Sequence, residues 1–342
     1  MKTILMQIIQ SIALGAILPG LLFTAAKTQQ PTEPSYRQPT TEEVMATIAP
    51  QPEPETEPVP TPEPEDTSPE SHMISVLRTS GQVEQMDLEE YICRVVLGEM
   101  PASFQMEALK AQAVAARTYA LRSVSGSGKH GDQIICTSSQ CCQAYCEPES
   151  YIRNGGSFRN VEKVFSAVRQ TAGEVIYYND KLIMATYFSS AGDTTEDAKA
   201  VWGNAVPYLT AVSSPEGDDV FDGETVTFSL HEFQSRLGLS LNGKPSEWIG
   251  AIAYTAGGGV ESIVIGDEVY KGTKIRSLFG LRSTDFAVSV TETAVTFTTN
   301  GYGHRVGLSQ YGAQAMAGEG SDYRDILTHY YTGTNLGQYP LA

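Results

Sequence analysis

The sequence predicts an α+β fold, with mixed helices and antiparallel strands around a cleft and an inserted smaller subdomain. Three observations lead there. Over residues 88–119 apolar side chains recur at helical spacing, first as Leu88, Ile92, Val95 and Val96 and then through an alanine-rich run. Residues 174–189 instead alternate and are rich in β-branched and aromatic side chains, which gives two strands turned at Asn179-Asp180. Residues 221–290 hold one helix and several strands broken by Gly257-Gly258-Gly259 and Gly266-Asp267, the make-up of a subdomain inserted at about 216–290.

The N-terminus stands apart. From Ile4 to Ala26 there is no formal charge, and about 23 such residues are just enough to cross roughly 30 Å of hydrocarbon as a helix. Gln7, Gln10, Ser11, Gly15, Pro19 and Gly20 dilute the hydrophobicity, and Thr24-Ala25-Ala26 offers small residues for cleavage. Residues 1–27 therefore read as a transmembrane anchor, with a cleaved signal sequence as the alternative. Either way the remainder is exported, and the expectation is a single-pass membrane protein with its folded domain outside the cytoplasm. Residues 28–71 hold 11 of the 18 prolines and ten acidic residues against one arginine, too little apolar surface to offset the entropy of ordering. Alternating Pro and Glu favours an extended, self-repelling spacer, so 28–72 is assigned as a disordered stalk. Of the net charge of −17, a share of −10 remains on residues 73–342, which argues against nucleic acid as a ligand and against adhesion to anionic lipid.

Residues 73–342 are ample for a sizeable core. Residues 74–86 read as a strand pair around Ser80-Gly81, and 87–100 as a helix with Asp87 as N-cap. Ser103 is expected to cap the next helix, over 104–124, whose alanines let it pack closely against a neighbour. Residues 125–160, rich in Gly, Ser and Cys, read as a long loop, and 161–170 as a third helix. Within the insertion a helix falls at about 230–237. A strand over 295–299 leads to Asn300-Gly301-Tyr302-Gly303-His304, and helices over 308–317 and 323–331 close the chain.

Glu99 continues the stripe of Val95 and Val96 at three and four residues' spacing, which sets a carboxylate at the rim of the core. Half withdrawn from water, its charged form is disfavoured and its pKa raised, as suits a proton donor near neutral pH; a capping or ion-pairing glutamate is the plainer alternative. His130, Cys136, Cys141 and Cys142 lie within thirteen residues, with Cys146 close behind. Imidazole and thiolate are a natural tetrahedral set for zinc, and a closed four-ligand site would be structural. In an exported protein a disulfide is the alternative, with Cys136 or Cys146 bridging to one of the adjacent pair. Cys93, inside the apolar helix, reads as a buried small hydrophobe. Two more clusters set hydrogen-bonding groups beside glycine. One runs from Tyr187 to Asp197, with Ser189, Ser190, Thr194 and Thr195 around Gly192, and suits a polyhydroxylated ligand or a cap on the helix that follows; the other runs from Gly301 to Ala313, with His304, Ser309 and Gln310 at the mouth of a helix. No nucleophile elbow, HExxH or Ser-His-Asp order is present, which leaves a single-acid mechanism.

Glu99-Met100-Pro101-Ala102-Ser103-Phe104 with the run from Glu107 to Tyr119, then Tyr187 to Gly192, then Gly303-His304 to Ala313, resemble in that order the stage II sporulation protein D family. The resemblance covers nearly all of residues 73–335. It implies a peptidoglycan lytic transglycosylase that cleaves glycan strands already stripped of stem peptides, during engulfment of the forespore in endospore formation. There one glutamic acid protonates the glycosidic oxygen and then takes the proton of the sugar's own 6-hydroxyl as it closes on C1, with no enzyme nucleophile and no bound water. Glu99 falls on the family's catalytic acid. Lys110, Arg117, Tyr119, Tyr187, Ser189, Ser190, Gly192, His304, Ser309 and Gln310 fall on motif positions expected to line the cleft. Lys110 and Arg117, seven apart on one helical face, are expected to hold Glu99 or the sugar, with the contact to Glu99 indirect because close pairing would lower its pKa. Some members carry a zinc in the loop after the long helix, and His130, Cys136, Cys141 and Cys142 match its spacing, with Cys141 where those members place a second histidine. Asp193 and Arg305 stand where small residues are usual and are expected to alter substrate fit. The implied partners are stage II sporulation protein P, an amidase that first removes the stem peptides, and the membrane protein stage II sporulation protein M. The implied location faces the space between mother cell and forespore. A non-catalytic amidase enhancer and a zinc amidase are the rival readings.

Overall fold

The protein was described from a computed structural model that covers residues 72–340, other than 132, 215 and 218–220. The expected anchor over 1–27 and the stalk, except its last residue, lie outside the described residues. Among those described, no helix is long and apolar enough to cross a membrane.

Strands β1 (Met73–Leu77) and β2 (Val83–Asp87) form the first antiparallel pair, with Met73 opposite Asp87. Asp87 then N-caps α1 (Leu88–Glu99), its carboxylate accepting from the Glu90 amide at 3.1 Å. Seven of the twelve residues of α1 are buried, among them Leu88, Ile92, Val95 and Val96 of the apolar stripe. The next helix, α2 (Met106–Arg122), begins later than expected and is not capped by Ser103. Pro101 starts a turn of its own, with the Phe104 amide bonded to the Pro101 carbonyl at 3.0 Å, and Gln105 takes the cap position without a side-chain bond. Alanines at 108, 111, 113, 115, 116 and 120 are fully buried, so α2 is the central helix of the body. It packs against α1, α4 (Phe158–Gln170), α8 (Gln310–Gly318), α9 (Tyr323–Tyr330) and strand β4 (Glu174–Tyr178).

The expected long loop holds a strand and a short helix. Strand β3 (Ile134–Cys136) pairs in parallel with β1, and α3 (Pro148–Arg153) follows. Helix α4 starts at Phe158, three residues before the predicted start, because Ser157 accepts from the Asn160 amide as N-cap. The hairpin of β4 and β5 (Lys181–Leu182) turns at Asn179 and Asp180, both at positive φ, as a tight hairpin requires. The predicted second strand does not run on to Ser189. The chain breaks after β5, and β6 (Tyr187–Phe188) pairs in parallel with β13 (Leu308–Ser309), which brings two distant motifs side by side. Strand β14 (Asn335–Gln338) completes the sheet on the other edge of β4. A short helix, α5 (Ala198–Trp202), follows the second motif.

The inserted unit has a core of its own, built on Phe228, Phe233, Trp248, Ile263, Phe279 and Phe297. It comprises β7 (Glu224–Ser229), α6 (Leu230–Leu237), β8 (Ile249–Tyr254), β9 (Val260–Ile265), β10 (Glu268–Lys271), α7 (Gly272–Phe279), β11 (Phe286–Val290) and β12 (Ala294–Thr299). The strands make two antiparallel sheets, in the orders β10-β9-β8 and β11-β12-β7. Because β12 is the middle strand of the second sheet, the unit reaches Thr299 rather than ending near 290. Its first and last strands pair, with Glu224 opposite Thr299.

Arg305, expected to alter substrate fit, instead pins this unit to the main body. It is 1% exposed, sits at φ +64°, and donates to the carbonyls of Ala191 at 2.9 Å, Thr194 at 2.8 Å and Gly257 at 2.8 Å. Glu196, equally buried, lies 3.5 Å from the guanidinium and accepts from the Thr255 hydroxyl and the Gly259 amide. The glycine run has a packing reason here: a Cβ on Gly257 would stand 2.3 Å from the Thr195 carbonyl, and one on Gly259 would stand 2.3 Å from the Glu196 carboxylate. Asp193 is exposed, its carbonyl accepting from the Ser214 amide.

Candidate active site

Glu99 is the last residue of α1, and Gly98 before it determines what can reach its carboxylate. A Cβ at Gly98 would meet the Tyr145 nitrogen at 2.8 Å and the Ala144 carbonyl carbon at 3.0 Å, both backbone. Without one, residues 144–145 lie against the helix end and the Ala144 amide donates to Glu99 Oε1 at 2.6 Å. The Tyr187 hydroxyl, carried in on β6, donates to the same oxygen at 3.2 Å. Burial pushes the Glu99 pKa up, and these two hydrogen bonds oppose the shift without cancelling it. Gly98→Ala is therefore expected to displace the 144–145 backbone, lowering stability by about 1–3 kcal/mol through overpacking. Thermal melts of the variant against wild type check it.

Glu99 borders a cavity of about 600 Å³, whose walls include Tyr119, Tyr187, Ser189, His304 and Gln310. His304 is held between the rings of Phe188 and Trp202, at 5.5 and 5.4 Å. Its Nδ1 accepts from the Val306 amide at 3.1 Å, which leaves the ring proton on Nε2. Burial, with Arg276 nearby, lowers its pKa to about 4, so the imidazole is neutral at physiological pH. Tyr119 is pushed up to about 12 by burial and by the neighbouring thiols, and stays a protonated donor. Tyr119 and His304 thus present polar but uncharged groups to the cavity.

Other predicted residues lie elsewhere. Arg117 is fully buried beneath the opposite side of α2, with two bonds to the Glu89 carboxylate at 2.7 and 2.5 Å and one to the Glu174 carbonyl at 3.0 Å. Lys110 pairs with Glu107 at 2.7 Å and lies over the Tyr323 ring. Neither lines the Glu99 cavity, so the expectation that they hold Glu99 or the sugar is corrected: the face they share packs against other elements. Ser190 and Ser309 also turn away from the cavity, toward a carboxylate that sequence reasoning missed. Glu216 accepts from the Ser190 hydroxyl at 2.5 Å, the Ala191 amide at 2.7 Å and the Ser214 hydroxyl at 3.2 Å, and also from the Ser309 hydroxyl. Ser309 at the same time N-caps α8, so Glu216 ties the second motif to the third. Gly192, at φ +72°, forms the turn beside them.

His130, Cys136, Cys141 and Cys142 each offer a ligand atom, all within 4.8 Å of one another. His130 Nε2 is 3.2 Å from Cys141 Sγ, and the two adjacent sulfurs are 4.0 Å apart. A sharp turn makes this possible, since the amides of Cys141 and Cys142 both bond to the Ser138 carbonyl, at 3.0 and 2.9 Å. Cys146 is directed instead at the Glu147 carbonyl, and Cys93 is buried in α1. The doublet also borders the Glu99 cavity, beside Lys129, which bonds to the Cys141 carbonyl. Of the next two residues, Gln143 bonds to Tyr187, and Ala144 bonds to the acid itself.

A family model described as stage II sporulation protein (SpoIID) matches residues 78–178, the stretch that carries Glu99, α2 and the His/Cys cluster. The chain is 40% identical over 272 residues to stage II sporulation protein D of Bacillus amyloliquefaciens, a match spanning 78% of each chain. The chain belongs to the stage II sporulation protein D family. Stage II sporulation protein D of Bacillus subtilis (strain 168) is also 40% identical over 272 residues, covering 78% of this chain and 79% of the relative. Another protein of that strain, named amidase enhancer, is 30% identical over 303 residues, covering 72% of this chain and 40% of its own length. As a stage II sporulation protein of the D family, the chain has a sporulation role. Of the residues described above, the family-model match takes in Glu99, Ala144 and Gln143, whereas Tyr187 and His304 lie beyond it.

Proposed function

We propose that the protein is a peptidoglycan lytic transglycosylase that cleaves denuded glycan strands during engulfment, with Glu99 as its single acid and base. The observation that carries this reading is a carboxyl group with a raised pKa at the wall of a cavity that it shares with Tyr119, Tyr187 and a neutral His304. Protonated Glu99 gives its hydrogen to the glycosidic oxygen as the C1–O bond breaks. The resulting carboxylate takes the proton of the 6-hydroxyl as O6 bonds to C1, which yields a 1,6-anhydro-muramyl end, consumes no water and regenerates the acid. The neutral state of His304 favours this cycle, because an imidazolium in the same wall would stabilise the carboxylate and lower its pKa. Glu216, a half-buried carboxylate whose pKa burial also raises, is instead engaged by three hydroxyls and an amide and does not border the Glu99 cavity. The test is to give purified protein denuded strands and measure anhydro-muramyl ends. Their release by wild type and loss in Glu99→Gln supports the reading. Strands left intact by both proteins, with stimulation of an added amidase unaffected by the substitution, would favour the amidase-enhancer reading that the name of the B. subtilis relative suggests.

The donor set of His130, Cys136, Cys141 and Cys142 fits zinc, being compact and rich in soft ligands. With all four positions filled from the protein, the ion would supply structural cross-linking rather than a reactive site. Chelation is then expected to lower the melting temperature, and added zinc to restore it. A chelated protein that melts unchanged would remove the structural role. The proposal extends to a membrane-anchored protein facing the space between mother cell and forespore, acting after the amidase stage II sporulation protein P and beside stage II sporulation protein M.

A further inference from the structure

We propose that Gln143 is a positioning residue that fixes Tyr187 as a hydrogen-bond donor to Glu99, and so confines the transferable proton of Glu99 to Oε2. The inference rests on the transglycosylase reading for its purpose, though not for its geometry. Gln143 is 1% exposed, and one of its terminal atoms lies 3.2 Å from the Ala116 carbonyl. A carbonyl only accepts, so that atom is the amide nitrogen, and the orientation of the side chain follows. The same Nε2 is 3.0 Å from the Tyr187 hydroxyl. One of its hydrogens goes to Ala116 and the other to Tyr187. Oε1 accepts from the fully buried Tyr91 hydroxyl at 3.2 Å, which closes the far side of the amide.

Tyr187 therefore receives a hydrogen from Gln143, and its own is directed to Glu99 Oε1 at 3.2 Å. That oxygen also takes the Ala144 amide at 2.6 Å. A carboxyl hydrogen on Oε1 would face two donors, one of them a backbone amide that cannot reverse. It must sit on Oε2, for which the described residues supply no hydrogen-bond donor. Both halves of the proposed cycle use the same atom: Oε2 releases the proton to the leaving oxygen and later receives one from the 6-hydroxyl. Gln143 touches neither substrate nor the reacting oxygen and acts through Tyr187 alone.

The experiment is a double-mutant cycle on the full-length protein, with Gln143→Met, Tyr187→Phe and the two combined. The titration of Glu99 is followed by carbon-13 NMR of labelled glutamates, and Glu99→Gln assigns the signal. Tyr187→Phe removes a donor to the carboxylate and is expected to move the midpoint to higher pH. Gln143→Met should move it the same way, and the double variant should match Tyr187→Phe alone. On glycan strands kcat should fall roughly tenfold for each single variant with KM within about twofold, and no further in the double variant. A Glu99 midpoint untouched by Gln143→Met, or a double variant with added effects, overturns the proposal. Tyr91→Phe frees Gln143 Oε1 while keeping the ring, and provides the same comparison if Gln143→Met does not fold; an unmoved midpoint there is equally fatal. Because the titration needs no turnover, a protein that releases no anhydro ends defeats the transglycosylase reading while the NMR result still decides the role of Gln143.

Discussion

Glu99→Gln is expected to lose about 10²–10⁴-fold in the rate of anhydro-end release, and also to melt at a higher temperature than wild type above neutral pH. The two effects have one origin. An amide at this position keeps an oxygen to accept from Ala144 and Tyr187, so the fold is retained, but it has no proton to give. Burial raises the pKa of the native carboxyl, which means that the folded protein holds this proton more tightly than the unfolded chain. The stability contributed by the protonated group is complete below the unfolded value, about 4.3, and is lost as pH rises through the folded value. Glutamine has no such loss. The gap between variant and wild type should therefore open with rising pH and level off above the folded pKa, and wild-type activity should decline over the same interval as the acid form disappears. Melting curves from pH 4 to 9 test it. A variant that melts below wild type at every pH would mean that the carboxylate is stabilised in the fold, contrary to the acid role.

The second large effect is on stability alone. Arg117→Met is expected to cost about 3–5 kcal/mol, since it strips the cation from the Glu89 carboxylate and removes the guanidinium donor to the Glu174 carbonyl. For a domain of this size the melting temperature should drop by roughly 10 °C. The KM for glycan in the fraction that remains folded should not change. A raised KM with an unchanged melting temperature would put Arg117 in the cleft after all.

Arg117 also shows where the sequence was legible and where it was not. Helical spacing correctly places Lys110 and Arg117 on one face of one helix, but spacing carries no information about which neighbour covers that face. Short-range devices were readable, as with Asp87, whose cap depends on an amide three residues away. Ser103 failed the same rule because Pro101 begins a competing turn. Glu99 stood out as a charge continuing an apolar stripe. Gln143 and Glu216 gave no such signal: they sit in irregular segments without periodicity, and their meaning depends on partners at 91, 187, 190 and 309 that only the fold brings near. Arg305 looked like a substitution in a binding motif because its turn is adjacent to His304, yet its side chain runs the other way, into the junction with the insertion.

That junction has an evolutionary consequence. Since Glu224 and Thr299 lie opposite each other in one ladder, the intervening chain leaves and returns within about 5 Å, the width of a single strand pair. Length can be gained or lost between those two points without re-threading the body that holds Glu99. The same closeness invites a shortened gene in which a brief turn joins the two ends. In such a chain the glycines at 257 and 259 would be gone, and Glu196 and Arg305 would be left as a lock without its bolt.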